Sequence, residues 1–309
     1  PDQRGYGRSW RKAIAYDDDL APYRMLNLVR DALGLVRTFG RERIDAVIGH
    51  DFGSFVAAWA AVTRPDVFRS VVLMSAPFAG VPKIPFDTAA EGGTSPVDDP
   101  VHDQLAALAR PRKHYQWYYS TPSAAADMDA PPQGLHDFLR AYYHHKSADW
   151  QANKPYPLTA WSADELAKLP TYYVMDRDET MPETVAHEMP TNDEIAANRW
   201  LPDAELAVYA REYARTGFQA SLNWYRCKTT GRFSGELELF DGRAIEVPSC
   251  FIAGASDWGI HQTAGAFEKM QGEALTDMRG CHLVDGAGHW VQQEQSEETA
   301  RLLLAFLDR

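Results

Sequence analysis

Residues 45–54 constrain the fold of this chain more than any other stretch. They read Asp-Ala-Val-Ile-Gly-His-Asp-Phe-Gly-Ser, and an apolar helical segment at 55–62 follows. A strand that turns this sharply into a helix leaves no room for side chains beside the turn and forces an unusual backbone at its apex. Glycines flank the central acid on both sides, so the pattern predicts a strand, a tight turn and a helix with Asp51 at the apex.

Length and composition limit the fold and the partners. The 309 residues can bury a large core, and no apolar run approaches the length of a membrane span. The net charge of −12 argues against nucleic acid or an anionic membrane as a partner. Three cysteines lie far apart without a Cys-x-x-Cys spacing, which indicates buried thiols in a reducing compartment, so we expect a cytoplasmic protein.

Apolar strands alternate with amphipathic helices at both ends of the chain. Residues 25–39 carry apolar side chains at helical spacing, and 70–74 is a second continuously apolar strand. Strands at 248–254 and 281–284 alternate with helices at 262–270 and 297–307. This alternation predicts an α/β fold with a mostly parallel sheet that is covered on both faces.

The middle of the chain has a different character. From 77 to 247, loops rich in Pro, Gly and Ala alternate with aromatic helical segments such as 135–143. We therefore expect residues 1–76 and 248–309 to form the core that contains the sheet. Residues 77–247 are expected to form a long, mainly helical lid over the mouth of that sheet.

Two chemically useful side chains follow the C-terminal strands. Asp257 follows the strand at 248–254, and His289 follows the strand at 281–284. Sites in open α/β sheets form at the carboxyl ends of strands, so Asp51, Asp257 and His289 are expected at one edge. Their order along the chain is nucleophile, acid, base, with a carboxylate as the nucleophile. Asp285 is a weaker candidate for the partner of His289, because Asp257 follows a strand at the position expected for the acid.

Four blocks make the chain resemble the α/β-hydrolase superfamily, and within it the soluble epoxide hydrolases. They are Asp-Gln-Arg-Gly-Tyr-Gly at 2–7, Gly-His-Asp-Phe-Gly at 49–53, Gly-Ala-Ser-Asp at 254–257 and Gly-Ala-Gly-His-Trp at 286–290. Their order and spacing match the family. The resemblance implies an α/β-hydrolase fold and a hydrolase without metal or other cofactor. Its substrates would be a small-molecule epoxide and water.

The same resemblance implies two lid tyrosines. Residues 216–226 are similar to an epoxide hydrolase lid segment, in which a tyrosine eight residues before the glycine helps to open the ring. Tyr209 holds that position. Tyr115 begins a Tyr-Gln-Trp-Tyr-Tyr run similar to the segment of the other lid tyrosine, and Tyr118 and Tyr119 lie in the same run. Phenols can hydrogen-bond the ring oxygen, and one can supply a proton as charge develops.

The N-terminal side of the site departs from the family. The backbone N–H of Phe52 is implied as one oxyanion donor, but the family's His-Gly-x-Pro loop, which supplies the second, lies upstream of the block at 2–7, where this chain begins. We therefore expect an N-terminally truncated sheet in which the strand at 46–49 is an open edge. Residues 82–100 have no match in the family. His50 and Ser54 are expected to pack and hydrogen-bond rather than to catalyse.

The leading hypothesis is an epoxide hydrolase that forms an ester on Asp51, which water activated by His289 then hydrolyses to a vicinal diol. A haloalkane or haloacid dehalogenase of the same fold uses the same three side chains. Such a dehalogenase needs hydrogen-bond donors for the halide, often an indole beside the nucleophile. Phe52 occupies that position here, and its side chain cannot donate a hydrogen bond. A non-catalytic binding protein or inactive fragment of this fold is a further alternative, against which the complete triad argues.

Overall fold

A computed structural model describes residues 1–9, 14–84 and 99–308. Its strands are β1 (Val47–His50), β2 (Val71–Met74), β3 (Arg112–His114), β4 (Val174–Asp176), β5 (Ser249–Gly254) and β6 (Met278–Val284). Its α-helices are α1 (Met25–Thr38), α2 (Phe52–Thr63), α3 (Val101–Ala106), α4 (Tyr115–Tyr118), α5 (Ala124–Asp129), α6 (Leu135–His145), α7 (Ala163–Leu166), α8 (Met181–Ala186), α9 (Asn192–Ala197), α10 (Asp203–Thr216), α11 (Gln219–Thr229), α12 (Ser234–Glu238), α13 (Ala266–Lys269), α14 (Val291–Glu294) and α15 (Ser296–Leu307).

The chain divides into two compact units. The first comprises Pro1–Arg24, Thr94–Gln151 and Ala160–Arg232, and the second comprises Met25–Gly93, Ala152–Thr159 and Phe233–Arg309. These bounds differ from the predicted core and lid at 1–24, 77–93, 152–159 and 233–247. As a division into domains, the predicted bounds stay a prediction. Of the segment at 82–100 that has no match in the family, residues 85–98 lie outside the described ranges.

The second unit contains the parallel sheet that the sequence predicts. Its four strands lie in the order β1-β2-β5-β6, and every neighbouring pair is parallel. In this described sheet β1 is an edge strand, as predicted, and the side chain of Ile48 on it is exposed. The carboxyl ends of all four strands therefore lie at one edge of the sheet.

Both faces of the central strands are buried, which explains why they are apolar without interruption. Successive side chains of a strand point to opposite faces, so each strand serves two cores. Val71, Leu73, Phe251 and Ala253 pack in the core that contains α1 and α2. Val72, Met74, Cys250 and Ile252 pack in the core that contains α14 and α15.

The predicted start of the helix at 262–270 is wrong. α13 begins at Ala266, after Gly265 with a left-handed φ of 74°, and a π-helical turn at Met270–Ala274 continues it. The other predicted helices and strands of this unit are confirmed, with ends that differ by a few residues.

The first unit is mainly helical and also contains a short antiparallel pair, β3 and β4, which the sequence analysis did not predict. The Arg110 guanidinium donates to both carboxylate oxygens of Asp176 at the end of β4. The N-terminal segment packs on α11, where the Trp224 indole N–H donates to the Arg4 carbonyl at 3.0 Å. Among the helices described in either unit, none is long and apolar enough to cross a bilayer.

Candidate active site

The turn after β1 has the strained geometry that its glycines predict. Asp51 has φ 52° and ψ −120°, and it is one of two non-glycine residues with positive φ among those described, the other being Ser75. A Cβ on Gly49 would lie 1.9 Å from the Gly53 carbonyl oxygen, so strand and helix approach too closely for any side chain there. The Asp51 N–H donates to the Met74 carbonyl at 3.0 Å, which ties the apex to the end of β2.

The two carboxylate oxygens of Asp51 have different partners. Oδ2 accepts a 2.6 Å hydrogen bond from the backbone N–H of Phe52 at the start of α2. Oδ1 lies 3.0 Å from Nε2 of His289. The side chain is 35 % exposed, so the carboxylate stays accessible. The turn therefore holds one oxygen with a backbone donor and points the other at the histidine.

Asp257 and His289 form a buried pair beside it. Nδ1 of His289 lies 3.2 Å from both carboxylate oxygens of Asp257, and the side chains are only 2 % and 1 % exposed. Asp257 Oδ1 also accepts from the Gly259 N–H at 2.7 Å, which fixes the acid within its loop. A Cβ on Gly254 would lie 2.1 Å from the Gly288 carbonyl oxygen, so the two loops pack without space between them. The protonated ring can donate to Asp257 and Asp51 at once.

The backbone carbonyl of His289 accepts two side-chain hydrogen bonds. His50 Nε2 lies 2.7 Å from this oxygen, and Ser75 Oγ donates to it at 3.1 Å. A carbonyl only accepts, so Nε2 of His50 carries a proton. Burial, together with the neighbouring His289, lowers the pKa of His50 to about 4. His50 is therefore a neutral donor to the backbone carbonyl of His289 at neutral pH.

Asp285 does not compete for the histidine. It is exposed, while His289 contacts Asp257 and Asp51. Across the described ranges, no group of three or more His, Cys, Asp or Glu side chains is arranged to hold a metal ion.

The two lid tyrosines of the sequence analysis both lie in the first unit. Tyr115 begins α4, is buried, and its hydroxyl accepts from Gln116 Nε2 at 3.0 Å. Tyr209 lies in α10, is half-buried, and stacks on Tyr143 with ring centroids 5.4 Å apart and planes 16° from parallel.

One connected aromatic cluster contains both tyrosines. The ring of Tyr115 lies edge-on to that of Tyr119 at 5.4 Å, and the Tyr119 hydroxyl donates to that of Tyr142 at 3.5 Å. Tyr142 contacts Tyr143, which stacks on Tyr209. The link between the helix at 135–143 and these phenols was not predicted, although the adjacent tyrosines of that helix were a visible signal in the sequence.

Tyr118, a neighbour of Tyr115 in the same run, has a different role. Its hydroxyl donates to Asp127 Oδ2 at 2.8 Å. Burial raises the pKa of Tyr118, and the hydrogen bond to Asp127 raises it further. The phenol of Tyr118 is therefore held by a carboxylate within its own unit.

Comparisons with known proteins agree on one family. The model of the alpha/beta hydrolase fold matches residues 1–295. Epoxide hydrolase B of Mycobacterium tuberculosis is 30 % identical, over 99 % of this chain and 82 % of that protein. Among solved structures, an epoxide hydrolase from an endophytic Streptomyces has a TM-score of 0.76 and 30 % identity, over 99 % of this chain and 79 % of that one. Epoxide hydrolase A from Mycobacterium thermoresistibile has a TM-score of 0.69 and 28 % identity, over 100 % and 81 %. The chain therefore belongs to the α/β-hydrolase fold family and is an epoxide hydrolase-like hydrolase.

Proposed function

We propose that this protein hydrolyses a small-molecule epoxide to a vicinal diol through an ester on Asp51. The observation that carries the proposal is the position of His289 between two carboxylates, 3.0 Å from Asp51 and 3.2 Å from Asp257. The second carboxylate, Asp257, is buried beside the histidine and orients it, while the first remains accessible. A nucleophile, a base and an orienting acid suit a two-step displacement with a covalent intermediate.

In the first step, Asp51 Oδ1 attacks a ring carbon and the bond from that carbon to the ring oxygen breaks. The Phe52 N–H already holds Oδ2, which leaves Oδ1 as the attacking atom. The ring oxygen leaves as an alkoxide, which is a poor leaving group unless an acid stabilises it. We assign that task to the phenols of Tyr115 and Tyr209, the role that their match to the family's lid implies.

In the second step, His289 removes a proton from water, and the hydroxide attacks the ester carbonyl carbon of Asp51. Negative charge develops on Oδ2, where the Phe52 N–H is already in place at 2.6 Å. Asp257 stabilises the imidazolium that forms. Collapse breaks the carbonyl carbon–Oδ1 bond, and the departing oxygen takes the proton from the His289 imidazolium, which releases the diol. The new carboxyl group of Asp51 loses its proton, and this proton restores the phenol that protonated the ring oxygen. One epoxide and one water therefore give one diol.

The relatives support the substrate class. Epoxide hydrolase B of Mycobacterium tuberculosis and the Streptomyces and Mycobacterium thermoresistibile structures all carry the name epoxide hydrolase. Their similarity extends over almost the whole of this chain, which contains all three residues of the triad. A dehalogenase of this fold would use the same triad, so the assay has to separate the two reactions.

The experiment offers an aryl or alkyl epoxide, a haloalkane and a haloacid to the wild-type protein and measures diol and halide. Diol formation that disappears in Asp51→Ala and His289→Gln supports the proposal. Asp285→Asn is the matched control, because it removes an exposed carboxylate four residues before the histidine, and it should keep wild-type turnover. Halide release without diol formation would identify a dehalogenase. A folded protein that turns over none of the three would favour the alternative of a non-catalytic binding protein.

A further inference from the structure

Besides Asp51, Ser75 is the other non-glycine residue with a positive φ in the described part of the chain, and nothing in the sequence around it predicts this conformation. It follows β2 directly, is fully buried, and has φ 62°, a conformation that costs free energy for any residue except glycine. Such a residue persists only where its surroundings hold it in place, and such residues cluster at functional sites. Glycine would adopt this backbone without strain, so the serine side chain itself needs an explanation.

In this strained conformation, Ser75 contacts two loops, the one that contains Asp257 and the one that contains His289. Its Oγ donates to the His289 carbonyl at 3.1 Å, and its N–H donates to the Ile252 carbonyl on β5 at 3.1 Å. Its own carbonyl oxygen packs against the acid loop, where a Cβ on Gly259 would lie 2.8 Å away. One residue therefore touches the loop of the base and the loop of the acid at the same time.

Ser54 is a natural comparison for it. Ser54 is also fully buried, and its Oγ donates to a backbone carbonyl, that of Ala76, at 2.6 Å. Its backbone is helical and unstrained, and its hydroxyl bonds the chain beyond β2 rather than the loop of the base. The two serines thus offer the same kind of hydrogen bond, with and without contact to His289.

We infer that Ser75 is a positioning residue for His289, which it fixes through the backbone carbonyl of the base. With its carbonyl fixed, the His289 ring keeps Nδ1 hydrogen-bonded to Asp257 and Nε2 directed toward Asp51. Ester formation uses the Asp51 carboxylate, whereas ester hydrolysis needs His289 to take a proton from water in the correct geometry. Ser75 therefore acts mainly on the hydrolysis step. The effect on the rate of ester hydrolysis rests on the proposed function. The effect of Ser75 on the position of His289 rests only on the contacts described above.

The kinetic test compares Ser75→Ala, Ser75→Gly and the matched control Ser54→Ala in single turnovers with an epoxide. Both Ser75 variants lose the hydroxyl, and the glycine variant also relieves the strain, so it is expected to fold. We expect ester hydrolysis to slow about 10-fold in both, within the range for a displaced catalytic group, with ester formation unchanged within about 2-fold. Ser54→Ala should keep the wild-type ratio of the two rates. Equal slowing of both steps, or the same altered ratio in Ser54→Ala, would overturn the inference.

A second readout needs no turnover. The Nδ1 proton of His289, identified in the proton NMR spectrum by its loss in His289→Gln, reports the hydrogen bond to Asp257. We expect faster exchange of this proton in both Ser75 variants and a wild-type signal in Ser54→Ala. An unchanged signal in the Ser75 variants would contradict the inference. A wild-type protein without epoxide turnover would refute the proposed function, and the NMR result would then decide the positioning role by itself.

Discussion

Nδ1 of His289 lies 3.2 Å from both oxygens of the Asp257 carboxylate, and both side chains are almost fully buried. A buried carboxylate in this place orients the ring and stabilises its protonated form. The opposite nitrogen, Nε2, is 3.0 Å from Asp51 Oδ1, so the contact with Asp257 also determines how the ring of His289 faces the Asp51 carboxylate.

Replacing Asp257 by asparagine should stop ester hydrolysis while the ester still forms. The amide cannot stabilise the imidazolium, and it favours the wrong tautomer of the ring. The comparable change in a serine protease triad costs about 10⁴-fold, so we expect a loss of about 10³-fold or more in the hydrolysis rate. Single-turnover kinetics with trapping of the ester measure both steps. Equal rates in Asp257→Asn and wild type would exclude Asp257 as the orienting acid.

Tyr115→Phe and Tyr209→Phe should slow ester formation. Each change removes only the phenol hydroxyl, and general acid catalysis contributes about 10²- to 10⁴-fold, so we expect losses in that range. The matched control is Tyr118→Phe, because the Tyr118 hydroxyl donates to Asp127. That variant should reduce stability and leave the rate of ester formation near the wild-type value. A larger loss of rate in Tyr118→Phe than in Tyr115→Phe would move the acid to position 118.

Gly49→Ala should prevent the tight turn between β1 and α2 from forming. The new Cβ would meet the Gly53 carbonyl oxygen at 1.9 Å, and a backbone clash of this kind cannot be relieved by a rotamer change. We expect destabilisation of about 3 kcal/mol or more. Gly34→Ala in α1 is the control, because its Cβ meets nothing within 4 Å, and it should stabilise the helix by about 0.5–1 kcal/mol. Chemical denaturation measures both, and similar stability of the two variants would contradict the geometry of the turn.

Buried histidines should make the protein sensitive to acid. Burial lowers the pKa of His145 to about 3, and the neighbouring His144 and Lys146 lower it in the same direction. The unfolded histidine takes up a proton near pH 6.5 and the folded one only near pH 3, so stability is retained above pH 6.5 and falls as the pH drops toward 3.

The variant His145→Phe tests this dependence, because phenylalanine can keep the aromatic contacts with Trp150 and Tyr172. Its unfolding free energy should fall less steeply than that of the wild type between pH 6.5 and pH 4. The difference between the two proteins at pH 8, where histidine is neutral in both states, gives the packing cost alone. Parallel stability curves over the acid range would show that His145 does not resist protonation in the folded protein.

The sequence predicts the sheet well because its strands are buried on both faces. Val71–Met74 and residues 250–253 of β5 are apolar without interruption, and loops with recognisable polar residues follow the carboxyl ends of both strands. Parallel strands end at the same edge, so the positions of Asp51, Asp257 and His289 after three such strands predict that they lie at one edge of the sheet. The side chains of β3, Arg-Lys-His, carry no apolar pattern, so its pairing with β4 had no signal in the sequence.

Other features depend on tertiary placement. A positive φ at a serine has no signature in the sequence, so the contacts of Ser75 with the loops that contain Asp257 and His289 were not predicted. Cys281 was expected to be buried, and this is wrong, because it lies on the edge strand β6 and is exposed. The hydrogen bond from His50 to the His289 carbonyl agrees with its expected structural role, although its partner could not be identified from the sequence.

The most direct test of the Asp51 ester is a single turnover of epoxide in heavy-oxygen water, with excess protein, followed by mass spectrometry of the diol and of the peptide that contains Asp51. Attack through the carboxylate transfers an oxygen of Asp51 to the diol, and water then refills the carboxylate. The proposed mechanism predicts an unlabelled diol and one heavy oxygen in the side chain of Asp51. A labelled diol with an unlabelled Asp51 would mean that water attacks the epoxide directly and would contradict it.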